Sequence, residues 1–145
     1  EKAIPNFIVS ALQDKPLTIH GDGNSSRDWL FVEDTCRALD KILHVDRKKV
    51  IGETINLGTG SDTCVLDIGQ KVLEKLDKPE SMLNYIKDRP GQVSCHISST
   101  DKSKELLDWQ AEISLDTGLE KTIEFYKNNR QWWGRFIWMK ELWGS

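Results

Sequence analysis

The sequence predicts an α/β or α+β fold that is incomplete by itself. Apolar residues recur at helical spacing in several separate stretches, and short runs of β-branched and aromatic residues lie between them. Those runs are too few and too weak to build a complete doubly wound sheet. The chain shows no internal repeat and no low-complexity tract.

Each element has its own local reason. Ile4, Phe7, Ile8, Ala11 and Leu12 follow a helical period with Pro5 near the start, which predicts a helix over 4–13, ended by Asp14, Lys15 and Pro16. Leu17, Thr18 and Ile19 read as a short strand, and Gly21 to Asn24 as a turn. Residues 29–32 (WLFV) read as a second strand. Glu33 and Asp34 then open a helix, where carboxylates favour exposed amides and the dipole, and Cys36, Leu39, Ile42 and Leu43 form its inward face. Arg47 to Lys49 read as a loop, 54–57 as a third strand, and Gly58 to Ser61 as its stop. A helix is expected over 66–76 with Ile68, Val72, Leu73 and Leu76 inward, followed by an extended segment over 82–86 and a loop at 88–92 (DRPGQ). Residues 96–98 read as a brief strand. Thr100 and Asp101 start a helix ending near Trp109, and Ser114 to Asp116 start another carrying Leu119, Ile123 and Tyr126.

Composition excludes several classes. The net charge is −3 over 145 residues with no lysine- or arginine-rich block, which argues against nucleic acid as a partner. No apolar run reaches membrane-spanning length and no signal-peptide pattern opens the chain, so no membrane partner is expected. Cys36, Cys64 and Cys95 are odd in number and widely spaced; they read as reduced, cytoplasmic, core-filling thiols. His44 and His96 lack metal-ligand spacing and read as surface or strand residues. The chain opens at Glu1 straight into an apolar pattern, as a piece of something longer would.

The stretch at 21–34 (GDGNSSRDWLFVED) begins like a phosphate-binding glycine loop, but it departs from that pattern. A dinucleotide loop needs G-x-G-x-x-G between a strand and an immediate helix; here Ser26 holds the third place and a strand is expected next. Gly58 and Gly60 fail similarly, with Thr63 third. Arg27 supports two readings: a guanidinium beside permissive glycines suits a phosphate, and an ion pair with Asp28 or Asp34 is the reading that spacing alone favours. Arg89, followed by Pro90 and Gly91, poses the same choice.

In order, "EKAIPNFIVSALQDKPLTIHGDGNSSRDWLFVEDTCRAL", "GETINLGTG", "DRPGQ" and "STDKSKELLDWQAEISLDTGLEKTIEFYKNN" resemble the C-terminal half of extended short-chain dehydrogenases/reductases acting on nucleotide sugars. The likeness is strongest to the dTDP-glucose 4,6-dehydratases, with the UDP-sugar 4-epimerases close behind, and covers residues 1 to about 130. It implies the C-terminal part of a Rossmann-type fold, here without the N-terminal half that holds NAD through G-x-x-G-x-x-G and carries the catalytic Tyr-x-x-x-Lys. Tyr85 and Tyr126 have Arg89 and Arg130 four residues on, so neither makes that pair. By resemblance, Arg27 and Arg89 contact the diphosphate of a nucleoside-diphosphate sugar. Lys2, Ala3, Ile4, Pro5 and Asn6 border the substrate; Thr18, Ile19 and His20 line the base; Asn56, at the end of its strand, lies at the substrate. Gln92 stands where many dehydratases have histidine and many epimerases aspartate, and it keeps donors and an acceptor for a ribose hydroxyl.

The implied activity is the substrate-binding portion of an NAD-dependent 4,6-dehydratase or 4-epimerase, inactive as this chain alone. The helix expected over 33–43 and the strand expected over 54–57 would leave apolar surface for a homo-oligomer or partner to bury. The alternative is a non-catalytic binding module assembled through the segment at 130–145 (RQWWGRFIWMKELWGS). Two regions are thus expected: 1–130 for the nucleotide sugar and 131–145 for an aromatic helix with Trp132, Phe136, Met139 and Trp143 in one stripe. That helix could cover its own core, serve as an interface, or lie on a membrane surface.

Overall fold

The computed structural model describes residues 2–137, which form two compact units. The first comprises the described residues of Glu1–Gly23, Val65–Pro90 and Leu119–Ser145; the second comprises Asn24–Cys64 and Gly91–Gly118.

In the first unit, helix α1 (Ala3–Leu12) accepts Pro5 in its first turn, where the missing N–H is not needed. It ends at Asp14, in the left-handed region at φ 55°, with Lys15 N–H donating to Ser10 O and Asp14 N–H to Ala11 O. Strand β1 (Leu17–His20) follows and pairs in parallel with β4 (Leu83–Ile86), Leu17 opposite Leu83 and His20 opposite Ile86. The pleat sends Leu17 and Ile19 into the core and leaves Thr18 and His20 half-buried on the other face. Helix α4 (Val65–Lys75) packs with α1 against β1, so that Phe7, Ile8 and Ala11 meet a core also built from Ile68, Val72 and Leu73. A 3-10 turn (Glu80–Met82) leads into β4. Helix α6 (Leu115–Asn128), which belongs to this unit from Leu119 on, buries Leu119 and Ile123. Helix α7 (Arg130–Gly134) is short and buries Trp133, whose indole N–H donates to Tyr126 O at 2.8 Å. Burial raises the Tyr126 hydroxyl above its ordinary value. Trp132 and Phe136 stay about half exposed, in edge-on contact with each other. The continuous stripe expected here stops with α7 at Gly134; Met139 and Trp143 lie outside the described residues.

In the second unit, β2 (Ser26–Arg27) is the centre of a three-stranded sheet, antiparallel to β3 (Thr63–Cys64) and parallel to β5 (Cys95–His96). Helices α2 (Val32–His44) and α5 (Asp101–Leu107) contact each other, and Ala38, Leu107 and Trp109 form a core flanked by Leu30, Ile42, Ile55 and Leu57.

Several sequence expectations fail here for identifiable reasons. Residues 29–31 are not a strand and Val32 already begins α2, because the sheet uses Ser26 and Arg27 instead. Residues 54–57 are irregular, held by Ile55 and Leu57 packing on the core rather than by strand pairing. Arg47 to Val50 form a one-turn helix, α3 (Arg47–Val50), because the Asp46 side chain accepts from Lys48 N–H. The last expected strand, 96–98, is instead the two-residue β5. Cys36 and Cys95 are exposed and Cys64 is partly exposed, so none fills the core. On α2 the buried side chains are Asp34 and Ala38, while Val32, Leu39 and Leu43 face solvent.

Asp34 is the structural keystone of α2. Its carboxylate accepts from the amides of Glu112 and Ile113 at 3.1 and 3.0 Å and pairs with Arg37, while its carbonyl accepts from the Trp109 indole at 3.1 Å. Arg37 also donates to Gln110 O and pairs with Glu112. Burial pushes the Asp34 carboxyl up, but Arg37 and the two amides outweigh it, and the group titrates below the ordinary carboxylate range. A depressed folded pKa stabilises the fold above the unfolded value, and that contribution disappears as pH falls through the folded one. Asp34→Asn should therefore cost on the order of 3 kcal/mol at neutral pH, since it strips the partner from Arg37 and places a donor against two amides. Urea unfolding should show the gap between wild type and variant closing below about pH 4, the unfolded carboxylate value; a gap independent of pH would contradict this account.

Candidate functional site

The sequence-nominated residues fall into both units, and each unit gathers its own set. In the first, Lys2 precedes α1 and is exposed, while Ala3, Ile4, Pro5 and Asn6 form its half-buried first turn. Ile19 is fully buried in the core, so its side chain packs rather than faces a ligand. Thr18 and His20 occupy the opposite face of β1, and His20 Nδ1 is buried without a hydrogen-bond partner. The chain leaves the carboxyl ends of β1 and β4 side by side: Gly21 N–H donates to Ile86 O at 3.0 Å, and a Cβ on Gly21 would touch Asp88. His20 and the loop carrying Arg89 thus share one strand edge, where open parallel sheets place their ligands. Arg89 is exposed; its amide donates to Asp88 Oδ1 at 2.8 Å, and its guanidinium has no partner among the described residues.

In the second unit, the 91–96 segment runs beside 24–27 and brings Gln92 to Arg27. Ser26 N–H donates to Ser94 O at 2.7 Å, and Gln92 Nε2 donates to Ser25 Oγ at 3.2 Å. Arg27 Nη1 donates to the carbonyls of Ser26 and Val93 at 2.6 and 2.9 Å, which fixes the guanidinium without neutralising it. Arg27 shares its row with Thr63 and His96, so the register sets a histidine beside the arginine on one face. Asn56 is exposed in the irregular segment and makes no hydrogen bond among the described residues.

The ion-pair reading of Arg27 fails. Asp34 is taken by Arg37 and two amides. Asp28 is taken by other donors: Oδ1 accepts from Thr59 N–H at 2.9 Å and Thr59 Oγ1 at 2.7 Å, and Oδ2 from the amides of Gly60 and Ser98 at 3.1 and 3.3 Å. Asp62 accepts from the Ser26 hydroxyl and the Cys95 thiol, which hold its carboxyl below the ordinary range. Those partners belong to the row that points away from Arg27. Arg27 forms no ion pair among the described residues.

The same contacts settle the glycine loops. The amides of Thr59 and Gly60, which a phosphate loop would offer to an anion, are filled by the protein's own Asp28. A Cβ on Gly58 would collide with Asp28 Oδ2 and stand 2.7 Å from Ser98 Cβ, so the glycine is there for close packing. Gly23, at φ +77°, donates to His20 O and accepts from Leu66 N–H, and a Cβ there would press to 2.8 Å from Leu66 Cβ. The Thr59, Gly60 and Gly23 amides are thus engaged within the chain.

Sequence reasoning missed Asp28. It follows an arginine in a polar run, and only the folded chain shows that loop amides 31 residues away converge on it. A separate open cavity of about 260 Å³ in the second unit is lined by Trp29, Thr59, Thr63 and Ile113 among others, and contains none of the nominated residues.

Comparison with known proteins gives a consistent result. A family model described as GDP-mannose 4,6 dehydratase matches residues 1–122. The dTDP-glucose 4,6-dehydratase of Escherichia coli is 37% identical over 148 residues, covering 94% of this chain and 40% of that protein. The dTDP-glucose 4,6-dehydratase of Bacillus anthracis, solved in complex with NAD, superposes with a TM-score of 0.83 at 31% identity, over 92% of this chain and 42% of that one. The UDP-glucuronic acid 4-epimerase of Bacillus cereus, solved with UDP-glucuronic acid and NAD, superposes at 0.81 with 32% identity, over 88% and 40%. The chain thus spans about two fifths of the length of these relatives.

Proposed function

Because the chain belongs to the GDP-mannose 4,6 dehydratase family of extended short-chain dehydrogenases, we propose that it is the nucleotide-sugar-binding portion of an NAD-dependent 4,6-dehydratase or 4-epimerase. The observation that carries this reading is Arg27: its guanidinium is anchored by two carbonyls, while Asp28, Asp34 and Asp62 are each engaged by other donors, so it is a fixed positive charge suited to an anion. Arg89, unpartnered at the edge of β1 and β4, is the second diphosphate ligand in this reading. His20 Nδ1, buried and unsatisfied, is suited to a polar group of the base, and Gln92 to a ribose hydroxyl. Thr18 lines the base, Ile19 supports it from the core side, and Lys2 to Asn6 and Asn56 border the substrate.

Whether the whole protein dehydrates or epimerises its sugar depends on groups outside these residues. In either case NAD would take the hydride from the sugar. The G-x-x-G-x-x-G loop and the Tyr-x-x-x-Lys pair are not among these 145 residues, and the two glycine loops that are present are internally filled. The exposed Val32, Leu39 and Leu43 on α2 support burial of that face by another part of the assembly, a homo-oligomer being one form of it.

Two outcomes test the reading. Calorimetric titration of the 145-residue chain with NAD should show no binding, and micromolar affinity would overturn the assignment. Arg27→Ala and Arg89→Ala should each weaken uridine or thymidine diphosphate binding roughly tenfold to hundredfold, the worth of a charge-assisted hydrogen bond, with melting temperature little changed. Arg27→Lys should recover only part of the loss, because an ammonium cannot reproduce the guanidinium fork. Unchanged affinity in both alanine variants would contradict the diphosphate role.

A further inference from the structure

Three segments of the second unit end on one carboxylate. Asp28 lies immediately after β2, and its own amide donates to His96 O at 2.9 Å, extending the pairing of β2 with β5. Its side chain then takes the amides of Thr59 and Gly60, the Thr59 hydroxyl and the Ser98 amide. Oδ2 is shared further, since Thr59 N–H also lies 3.1 Å from it. Gly58 packs so closely against this carboxylate that no side chain fits there. The loop so captured begins two residues after Asn56, and the strand so extended carries Arg27 one residue before Asp28.

We propose that Asp28 is a positioning residue for diphosphate binding: it sets Arg27 and Asn56 in a fixed relation without touching the ligand. The proposal rests on the reading that Arg27 contacts the diphosphate. Asn56 sits in a segment with no strand pairing, so its backbone is defined by Ile55 and Leu57 in the core on one side and by the Asp28 clamp on the other. The clamp has a second consequence. A carboxylate adjacent to Arg27 would ordinarily pair with it directly, but the acceptor sites of this one are taken by amide and hydroxyl donors of the loop. Freeing Asp28 would both loosen Asn56 and give Arg27 an internal counter-ion competing with the ligand. Both effects lower affinity for a diphosphate and neither acts on an uncharged nucleoside.

The test uses the 145-residue chain, with uridine and thymidine diphosphate and the two corresponding nucleosides as probes, by calorimetry well below each variant's melting temperature. Asp28→Asn presents an amide donor to a cluster of donors and should weaken diphosphate binding about tenfold, the equivalent of one lost hydrogen bond, with nucleoside binding unchanged. Thr59→Val removes one donor and keeps the backbone amides; it should give a smaller loss of the same selectivity and keeps the proposal testable if Asp28→Asn does not fold. Leu107→Ala, in the core of the same unit, should lower the melting temperature yet leave diphosphate affinity intact. Diphosphate affinity retained in Asp28→Asn, or in Thr59→Val where the former does not fold, while Arg27→Ala loses it, would overturn the positioning role and leave the binding reading standing. Equal losses for nucleoside and diphosphate, or the same loss in Leu107→Ala, would reduce Asp28 to a general structural part and also overturn it. No binding by wild type, or unchanged binding by Arg27→Ala, would remove the reading on which the proposal rests.

Discussion

An arginine followed directly by an aspartate invites an internal ion pair, and the second unit avoids it. Four donors from two other segments claim the Asp28 carboxylate before the neighbouring guanidinium can. The arrangement is favourable because backbone amides at a loop otherwise lack partners, and a charged acceptor satisfies several of them at once. Arg27 is left to two carbonyls, which hold its position and leave its charge intact.

Asp34 applies the same chemistry to a different end. It too is a carboxylate satisfied by loop amides, those of Glu112 and Ile113, but it is fully buried and accompanied by Arg37. The outcome is a fixed connection between α2 and the segment after Trp109, whose indole closes the arrangement by donating to the Asp34 carbonyl. Two acids six residues apart therefore serve different purposes. Asp34 holds the core of the unit together, and Asp28 holds the loop that carries its exposed polar residues.

Much of the first unit was legible in the sequence because its elements are long enough to show a period. The apolar spacing of α1 and α4 and the alternation in β1 are local signals, and the structure places these elements within a residue or two of the expectation. The second unit was less legible because its strands are only two residues long and exist through partners 36 to 38 and 69 residues away. An apolar run such as 29–32 looks more like a strand than Ser26 and Arg27 do, yet it has nothing to pair with. The inward face expected on α2 was only partly right: Ile42 packs on the core, but Cys36, Leu39 and Leu43 are exposed, and the buried positions are Ala38 and a charged residue, Asp34, against the rule that carboxylates stay in water. Of the site, the arginines were visible as residue types, and the nearness of Gln92 to Arg27 was not, since it depends on the parallel pairing of β2 with β5.

The central claim is that this chain presents a diphosphate site built on Arg27, and the most direct measurement is an amide NMR titration of the 145-residue chain with uridine and thymidine diphosphate. The account predicts that the signals of Arg27, Asn56 and Gln92 move with ligand along one binding curve. Perturbations confined to the cavity beside Trp29 and Ile113, or no perturbation at saturating ligand, would contradict it.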